Sequence, residues 1–296
     1  MVSVLYCCNI TYATNIDALA YQTRSRENRG FDVNSNEDQK LVGTVIDDKG
    51  VLTLELNRPE SYNSLSNNLI QALCDQIELA NEDDSVRVLV IRGRGRGFCS
   101  GHDLDEVISL KCESDQYKLL GHCARLMQAI HVSPKPVITQ VHGIAYAAGC
   151  QLVASSDLAF STEDARFATP GVNIGLFCST PMVALSRAVA DKHALRMLLT
   201  GESISAKEAV DIGLINEAVR AERIDVYVQE IARTIASKSS HVVQMGKVAF
   251  RQQLSLPLQD AYELCNDVVV ENLKASDARE GVAAFLEKRQ PHWKDS

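Results

Sequence analysis

The feature that most constrains the fold is an alternation of short apolar strands with helical patterns in the first two thirds of the chain. Segments 41–46 and 51–56 alternate apolar with polar or small residues around Asp47-Asp48-Lys49-Gly50, which predicts a β-hairpin. Short apolar strands are predicted at 86–91 and 137–141, each after a helical pattern. Strands that alternate with helices favour parallel pairing, so the pattern predicts an α/β fold.

Helix starts and ends can also be read from the sequence. Ser66 is suited to cap a helix that runs to about Ala80, because apolar residues recur on one face there. Further helices are predicted near 115–130 and from about Ala147, and a strand at 158–161. Beyond Thr180 the pattern is almost wholly helical. One helix is predicted to start at 179–181, another to run from Asp191 to near Gly201, and Ser205 is suited to cap a short one that ends at Gly213. Further helical segments are predicted at 221–237, 240–254, 258–273 and 276–289.

Composition excludes several classes of protein. The 296 residues carry a formal net charge of −8, which disfavours nonspecific nucleic-acid binding. No apolar run reaches the roughly 20 residues that span a bilayer, so no membrane span is expected. The nine cysteines form no Cys-x-x-Cys pair and lie mostly in apolar settings. They are expected to be buried thiols in a reducing compartment, and no metal site is expected.

The first 40 residues differ from the rest because they lack clear periodicity. Arg24, Arg26 and Arg29 among hydroxyl residues resemble a mitochondrial leader, whereas Asp17 and Glu27 do not fit one. Two interpretations stay open for residues 1–40, a disordered extension or a targeting leader.

Two stretches of small residues, at 97–104 and 142–151, carry the main functional signal. Each follows a β-type segment and precedes a predicted helix start. Backbone N–H groups at such places can bind a negatively charged oxygen. If the two stretches converge, they would form an oxyanion hole for a carbonyl that becomes an enolate.

The chain resembles the crotonase family, also called the enoyl-CoA hydratase/isomerase superfamily. The resemblance covers about 41–293, and it is strongest to one subgroup on residues 100–104, 147–155 and 167–181. It implies a ClpP/crotonase-like fold, with a stacked ββα spiral at 41–200 and a helical trimerisation region at 201–296. The matching residues are Asn57-Arg58-Pro59, Asn63-Ser64-Leu65, Phe98-Cys99-Ser100-Gly101-His102-Asp103, Lys135-Pro136-Val137-Ile138, His142-Gly143, Ala148-Gly149-Cys150, Leu199-Thr200-Gly201, Ile204-Ser205-Ala206, Ala209, Gly213-Leu214-Ile215, Glu280-Gly281 and Lys288-Arg289.

The resemblance implies an acyl-CoA thioester whose carbonyl oxygen accepts hydrogen bonds from the amides of His102 and Ala148. Hydratases of this family use two glutamates to add water across a double bond. Gln151 and Gly171 occupy those two positions here. An amide cannot exchange a proton near neutral pH and glycine has no side chain, so standard hydration is not expected. Gly171 would also leave room for a branch or carboxylate on the acyl group.

Other acids and bases of the chain are candidates for the missing role. The ring of His102 or His142 has a suitable pKa for a base. Asp103 is expected to cap a helix that starts at Leu104 instead, and Asp157 to make structural bonds. Cys178 and Ser179 would line the acyl pocket.

The remaining ligand contacts also follow from the resemblance. It implies CoA contacts at Ser61, Tyr62, Ser64, Gly101, Asp103 and Leu104, and at Phe285 and Lys288 of a C-terminal helix that often reaches over a neighbouring subunit. Lys288 would neutralise phosphate, or would simply end a solvated helix. The arginines at 92, 94 and 96 are interpreted as a solvated turn.

The resulting expectation is an acyl-CoA-binding protein of fatty-acid metabolism in mitochondria, with no cofactor other than the CoA thioester itself. It would assemble as a homotrimer or homohexamer. Enolate chemistry such as decarboxylation or isomerisation is one possibility, and a non-catalytic acyl-CoA-binding regulatory protein is the alternative. A third interpretation is a scaffold that no longer binds CoA esters.

Overall fold

The computed structural model of the protein describes residues 40–296. The predictions for the N-terminal extension therefore lie outside the described residues, apart from Lys40. The described strands are β1 (Val42–Ile46), β2 (Val51–Leu56), β3 (Val88–Gly93), β4 (Val137–Val141), β5 (Ile144–Tyr146), β6 (Leu158–Thr162), β7 (Arg166–Ala168), β8 (Ile204–Ser205) and β9 (Glu217–Val219).

The helices that follow and separate these strands agree closely with the sequence pattern. Most predicted boundaries lie within a few residues of those observed. The described helices are α1 (Asn67–Glu82), α2 (Leu104–Ser109), α3 (Glu113–Val132), α4 (Ala148–Ser155), α5 (Ser179–Ala188), α6 (Asp191–Thr200), α7 (Ala206–Asp211), α8 (Ile224–Ala236), α9 (Ser240–Gln253), α10 (Leu258–Lys274) and α11 (Ser276–Glu287).

The strands form two sheets. The larger has the order β1-β2-β3-β4-β6-β9, and the smaller has the order β5-β7-β8. In the larger sheet only β1 and β2 pair in an antiparallel manner, and the other neighbours are parallel. Successive turns of the chain therefore give one strand to each sheet, as β4 and β5 do, and then β6 and β7. This is the repeating ββα arrangement that the resemblance implies.

The predicted hairpin is confirmed. The Asp47 side chain accepts hydrogen bonds from the amides of Lys49 and Val51, at 2.9 and 3.0 Å. Gly50 completes the turn with a φ of 82°, a conformation that glycine adopts without steric cost.

Alternate residues of the central strands pack on opposite faces of the large sheet. Leu52 and Leu54 of β2 belong to the main core, which α1, α3 and α4 complete. Val51, on the opposite face of the same strand, packs with Val88 of β3 and Val228 of α8. Strands covered on both faces are apolar throughout, which explains the continuous apolar segments in the sequence.

The helix starts follow the expected capping chemistry. The Ser66 side chain accepts from the Leu69 amide at 3.3 Å, and Asp103 accepts from the Glu106 amide at 3.3 Å. Ser205 and Glu208 form a reciprocal capping box at the start of α7. The predicted caps at Ser66, Asp103 and Ser205 are therefore confirmed.

Asp157 makes the structural bonds expected of it. Its carboxylate accepts from the Val137 amide at 2.8 Å and pairs with Lys247 at 2.6 Å and Arg251 at 2.9 Å. It thus links the start of β4 to α9.

The C-terminal segment is held by side-chain contacts. The indole N–H of Trp293 donates to the Ser237 carbonyl at 2.9 Å. The buried carboxylate of Asp277 accepts from the amides of Lys294 and Asp295, at 2.7 and 2.9 Å. Asp295 in turn pairs with Arg87 at 2.8 Å.

Two further properties bear on the predicted class of protein. None of the helices in the described part of the chain combines the length and apolar character needed to cross a bilayer. The cysteines at 40–296 are free thiols, and Cys74, Cys99, Cys123, Cys150 and Cys178 are buried.

Candidate active site

The site is a cavity of about 940 Å³, which we call the main cavity. Four parts of the chain form its walls: the turn at 58–64, the segment 100–120 with α2, the start of α4, and the segment 170–181. Its lining includes Arg58, Ser61, Ser64, Ser100, His102, Asp103, Leu104, Ala147, Gly171, Cys178 and Thr180.

The two stretches of small residues meet at one edge of this cavity. The Cys99 amide donates to the Ile144 carbonyl at 3.1 Å, and the Tyr146 amide donates to the Cys99 carbonyl at 2.9 Å. A methyl group placed on Gly101 would lie 2.8 Å from the Ala147 Cβ and 3.4 Å from the Ala148 nitrogen. The stretches therefore touch, and glycine at 101 is required by this approach and by its φ of 105°.

Both predicted oxyanion donors lie at this crossing. Hydrogen bonds on either side of His102 fix its peptide, because Gly101 accepts from Leu65 at 2.7 Å and Asp103 donates to the Leu65 carbonyl at 3.1 Å. Ala148 is the first residue of α4, where a helix provides no acceptor for the amide. Among the backbone hydrogen bonds of turns, loops and caps within 40–296, none is donated by the amide of His102 or of Ala148.

Backbone strain sits one residue before Ala148. Ala147 has φ 48° and ψ −115°, a conformation that glycine adopts freely and residues with a Cβ rarely do. Ala148 itself is not among the residues with positive φ. Such strain costs roughly 1–3 kcal/mol and is found mostly at functional sites.

The two positions expected to lack glutamate lie in different places. Gly171 lines the main cavity, but a Cβ there would lie 2.8 Å from the Leu176 carbonyl oxygen and 2.9 Å from the Cys178 sulfur. A side chain at 171 would therefore collide with those two groups, while the room for a branch or carboxylate of the acyl group stays a prediction. Gln151 is buried on α4, and its Oε1 has no partner within 40–296.

Gln151 lines a second cavity of about 690 Å³. Ala147, one helical turn earlier, lines the main cavity.

Of the residues predicted to contact CoA, Ser61, Ser64, Asp103 and Leu104 line the main cavity together. Gly101 lies at the crossing behind them. The ring of Tyr62 instead makes a cation–π contact with Arg96, whose guanidinium carbon lies 4.8 Å from the ring centre. The structure does not bring the two C-terminal residues into the cavity of the same chain: the Phe285 side chain is 82% exposed, and Lys288 ends α11.

Two residues that organise the site were not predicted. Arg58 donates to the Ser64 carbonyl at 2.7 Å and pairs with Asp103 at 2.9 Å, so it joins the turn at 58–64 to the start of α2. The buried Asn63 side chain donates to the carbonyls of Gly97 and Phe98 at 2.9 and 3.0 Å, which anchors the approach to the first small-residue stretch. The sequence signal was Asn57-Arg58-Pro59 with Asn63, which the resemblance marked without giving a role.

Few groups around the main cavity can exchange a proton. The Arg58 guanidinium is the main cause that holds the pKa of Asp103 below its usual range, so this carboxylate is a weak base. Burial lowers the pKa of His102, which favours a neutral ring, and its Nε2 is buried without a partner within 40–296. Burial raises the pKa of Cys178, which disfavours the thiolate.

The alternative bases from the sequence are not better placed. The His142 ring bonds to the Gly95 carbonyl at 2.8 Å, away from the residues that line the main cavity. Within 40–296, no group of three or more potential metal ligands comes together.

Arg58→Gln tests the link between the turn and α2. We expect a loss of about 1–2 kcal/mol of unfolding free energy at pH 7, because Asp103 loses its partner in a partly solvated setting. Since Arg58 lowers the pKa of Asp103, the stabilisation is complete at neutral pH and is lost as the pH falls below about 4. Thermal melts at pH 7 and pH 3.5 should therefore show a gap between wild type and variant that narrows in acid.

The matched control for that substitution is Arg196→Gln, whose exposed guanidinium lies 3.8 Å or more from its acidic neighbours. It should melt like the wild type. An equal loss in both arginine variants would rule out a special role for Arg58.

Comparison with known proteins identifies the same family that the sequence motifs indicate. The sequence model of the family described as "Enoyl-CoA hydratase/isomerase" matches residues 47–296. The Xenopus laevis protein named "Enoyl-CoA hydratase domain-containing protein 3, mitochondrial" is 41% identical over 276 residues, covering 93% of this chain and 94% of that protein. This is the subgroup that the motifs at 100–104, 147–155 and 167–181 indicated.

Solved structures of the same family are similar to this chain. An enoyl-CoA hydratase of Mycobacterium smegmatis has a TM-score of 0.84 and 45% identity, covering 86% of this chain and 99% of that one. Human enoyl-CoA hydratase domain-containing protein 3 has a TM-score of 0.83 and 42% identity, covering 86% of this chain and 100% of that one.

Proposed function

The chain belongs to the enoyl-CoA hydratase/isomerase family and has the crotonase fold, and from that premise we propose that it binds an acyl-CoA thioester in the main cavity. The amides of His102 and Ala148 would donate to the thioester oxygen. The observation that carries the proposal is the contact between the two small-residue stretches at Gly101, beside a cavity that Ser61, Ser64 and Leu104 also line.

Several features of the cavity support this ligand. Both α4 and α5 begin at its wall, and helix N-termini favour a developing negative charge. Apolar side chains such as Leu119, Leu176 and Phe177 line the rest, which suits an acyl or pantetheine chain.

The chemistry we propose is the formation of an enolate, without the addition of water to a double bond by two glutamates. In a decarboxylation, the bond to the departing carboxylate breaks and its electron pair forms the enolate, so no base is needed in that step. Two aligned donors would stabilise the enolate oxygen, and losing one typically costs about 3–4 kcal/mol. An isomerisation would instead need a group to move a proton, and the neutral ring of His102 is the candidate.

A non-catalytic acyl-CoA-binding regulatory protein is the second candidate. It is favoured by the side chains available for proton transfer: Asp103 is paired with Arg58, Cys178 is held as a thiol, and Gln151 is an amide that does not ionise. Such a protein would bind the thioester and release it unchanged.

Ligand binding is tested by thermal denaturation with CoA esters. At a concentration about 100 times the Kd, a ligand that binds only the folded state adds about 2.7 kcal/mol, which raises the Tm of a protein of this size by about 5–10 °C. Crotonyl-, malonyl- and branched acyl-CoA are the probes, with free CoA as the control, and mass spectrometry separates turnover from binding. No stabilisation by any CoA ester would refute the proposal and leave the scaffold interpretation.

We also propose a mitochondrial location and a role in fatty-acid metabolism, which the name of the Xenopus relative supports for the location. A homotrimer or homohexamer is proposed as well. It is supported by the exposed apolar side chains on the C-terminal helices, such as Leu258, Leu273 and Phe285. Light scattering should give three or six times the mass of the chain, and a monomer would exclude it.

A further inference from the structure

The second cavity is the part of the molecule that the proposed function leaves unexplained. We propose that it receives the distal end of the acyl group, and that Arg187 and Arg251 there select acyl groups that end in a carboxylate. The inference rests on acyl-CoA binding in the main cavity and adds the substrate class to it.

The two cavities lie along the same pair of helices. Ala147 at the start of α4 lines the main cavity, while residues 151 and 153–155 line the second. On α5, Ser179 and Pro181 line the main cavity, and Val183, Ala184 and Arg187 line the second. Thr180 lines both, so the two cavities adjoin at this residue.

The length of this path defines the acyl group that would fit. The thioester oxygen would lie at the Ala148 amide, and the second cavity extends to Ser155 at the end of α4. Seven residues of helix span about 10 Å, the length of an extended chain of about eight carbons. A chain of that length would bring its far end to the second cavity.

The walls of the second cavity combine apolar and cationic groups. Met127, Leu158, Leu214 and Phe250 supply apolar surface for methylene groups. Arg187 and Arg251 supply the charge, and the imidazole of His131 lies in the same lining. A chain with an apolar body and an anionic end matches this lining better than a plain alkyl chain does.

Positive charge is in excess at this place. The carboxylate in the lining, Asp157, is already paired with both Lys247 and Arg251. Arg187 has no carboxylate partner within 40–296. Its guanidinium donates instead to the Val183 carbonyl of its own helix, at 2.7 Å. The Nε of Arg251 is buried and has no partner in the same range.

The surroundings of His131 report the same excess. Its pKa is lowered first by burial and then by the charges of Arg251, Lys247 and Arg187, against the opposing effect of Asp157. A carboxylate entering the cavity would offset this repulsion and could bind Arg187 through two parallel hydrogen bonds.

Titration calorimetry with matched thioesters tests the inference. Octanoyl-CoA and suberyl-CoA have the same chain length, and only the second ends in a carboxylate. We expect the wild type to bind suberyl-CoA at least about tenfold more tightly, as a charge-assisted pair would give. Arg187→Gln should raise the Kd of suberyl-CoA about tenfold and leave that of octanoyl-CoA unchanged.

Two controls sharpen the comparison. Lys192→Gln removes an exposed cation at the start of the neighbouring helix α6 and outside the cavity, so it should change neither Kd. Succinyl-CoA is too short to reach Arg187, so its Kd should not respond to Arg187→Gln.

Equal Kd values for the two eight-carbon esters in the wild type would overturn the inference while leaving acyl-CoA binding intact. So would an Arg187→Gln variant that weakens both esters equally. Free suberate that binds as tightly as its CoA ester would show an independent anion site instead. If no CoA ester binds at all, the proposed function fails together with this inference.

Discussion

Gly149→Ala is expected to cost about 3 kcal/mol or more of unfolding free energy, or to prevent folding. The added methyl group would overlap the carbonyl oxygen of Cys99 and lie 2.9 Å from the Cys99 Cβ. The nearest contacts are backbone atoms of Cys99, so no flexible side chain could move away to make room for the methyl group. The start of α4 would have to separate from the first small-residue stretch, so acyl-CoA binding should be lost in any protein that still folds.

Gly121→Ala is the matched control for that substitution. Gly121 lies inside α3, and a methyl group placed on it meets nothing within 4 Å. Alanine is favoured over glycine in a helix by about 0.5–1 kcal/mol, so this variant should be slightly more stable than the wild type. Urea denaturation of both variants and a CoA-ester binding assay measure the contrast. A Gly149→Ala protein as stable as the wild type would mean that the close approach of the two stretches is not present.

Crotonyl-CoA is expected to bind without being hydrated. Each general acid or base typically contributes about 10²–10⁴ to the rate. The resemblance implies that Gln151 and Gly171 stand at the two glutamate positions, and Asp103 is held by Arg58. On that basis hydration should be at least about 10⁴-fold slower than in a two-glutamate hydratase of the family. The mass increase of one water, followed over time with such a hydratase as the positive control, measures the rate.

Restoring the carboxyls probes the same scaffold. Gln151→Glu and Gly171→Glu should each remain at the wild-type rate. Hydration that appears when the two are combined would show that a side chain at 151 reaches the thioester from the wall of the second cavity. A Cβ at 171 would lie 2.8 Å from the Leu176 carbonyl oxygen and 2.9 Å from the Cys178 sulfur. Cys178→Ala relieves only the second contact, so the folding of the combined variant must be checked by its thermal melt. Hydration by the wild type at a rate near that of the positive control would instead mean that another group, with His102 the first to examine, handles the proton.

The elements that the sequence predicted are those set by local chemistry. The hairpin at Asp47, the helix caps at Ser66 and Ser205, and the C-terminal helices depend on neighbours within a few residues. Such signals can be recognised in a short stretch of sequence without knowledge of the tertiary structure. The crotonase fold, in turn, was predicted from the joint resemblance of many short motifs.

What the sequence did not predict depends on contacts between distant residues. The strands β5, β7 and β8 have three, three and two residues, too few for a periodic pattern. Arg58 and Asp103 are 45 positions apart, and nothing in either local sequence indicates the pair. The filled space at Gly171 and the position of Gln151 in the second cavity follow from how α4, α5 and their preceding loops pack.

Trp293 is the chain's single tryptophan, and its position decides what an optical experiment on this protein would report. Its indole binds the Ser237 carbonyl and lies against Gly281, far along the chain from both small-residue stretches. Intrinsic emission should therefore follow the docking of the C-terminal segment on α8 and α11, and it should be insensitive to occupancy of the main cavity. Ligand titrations followed by fluorescence would need a second fluorophore placed near α2.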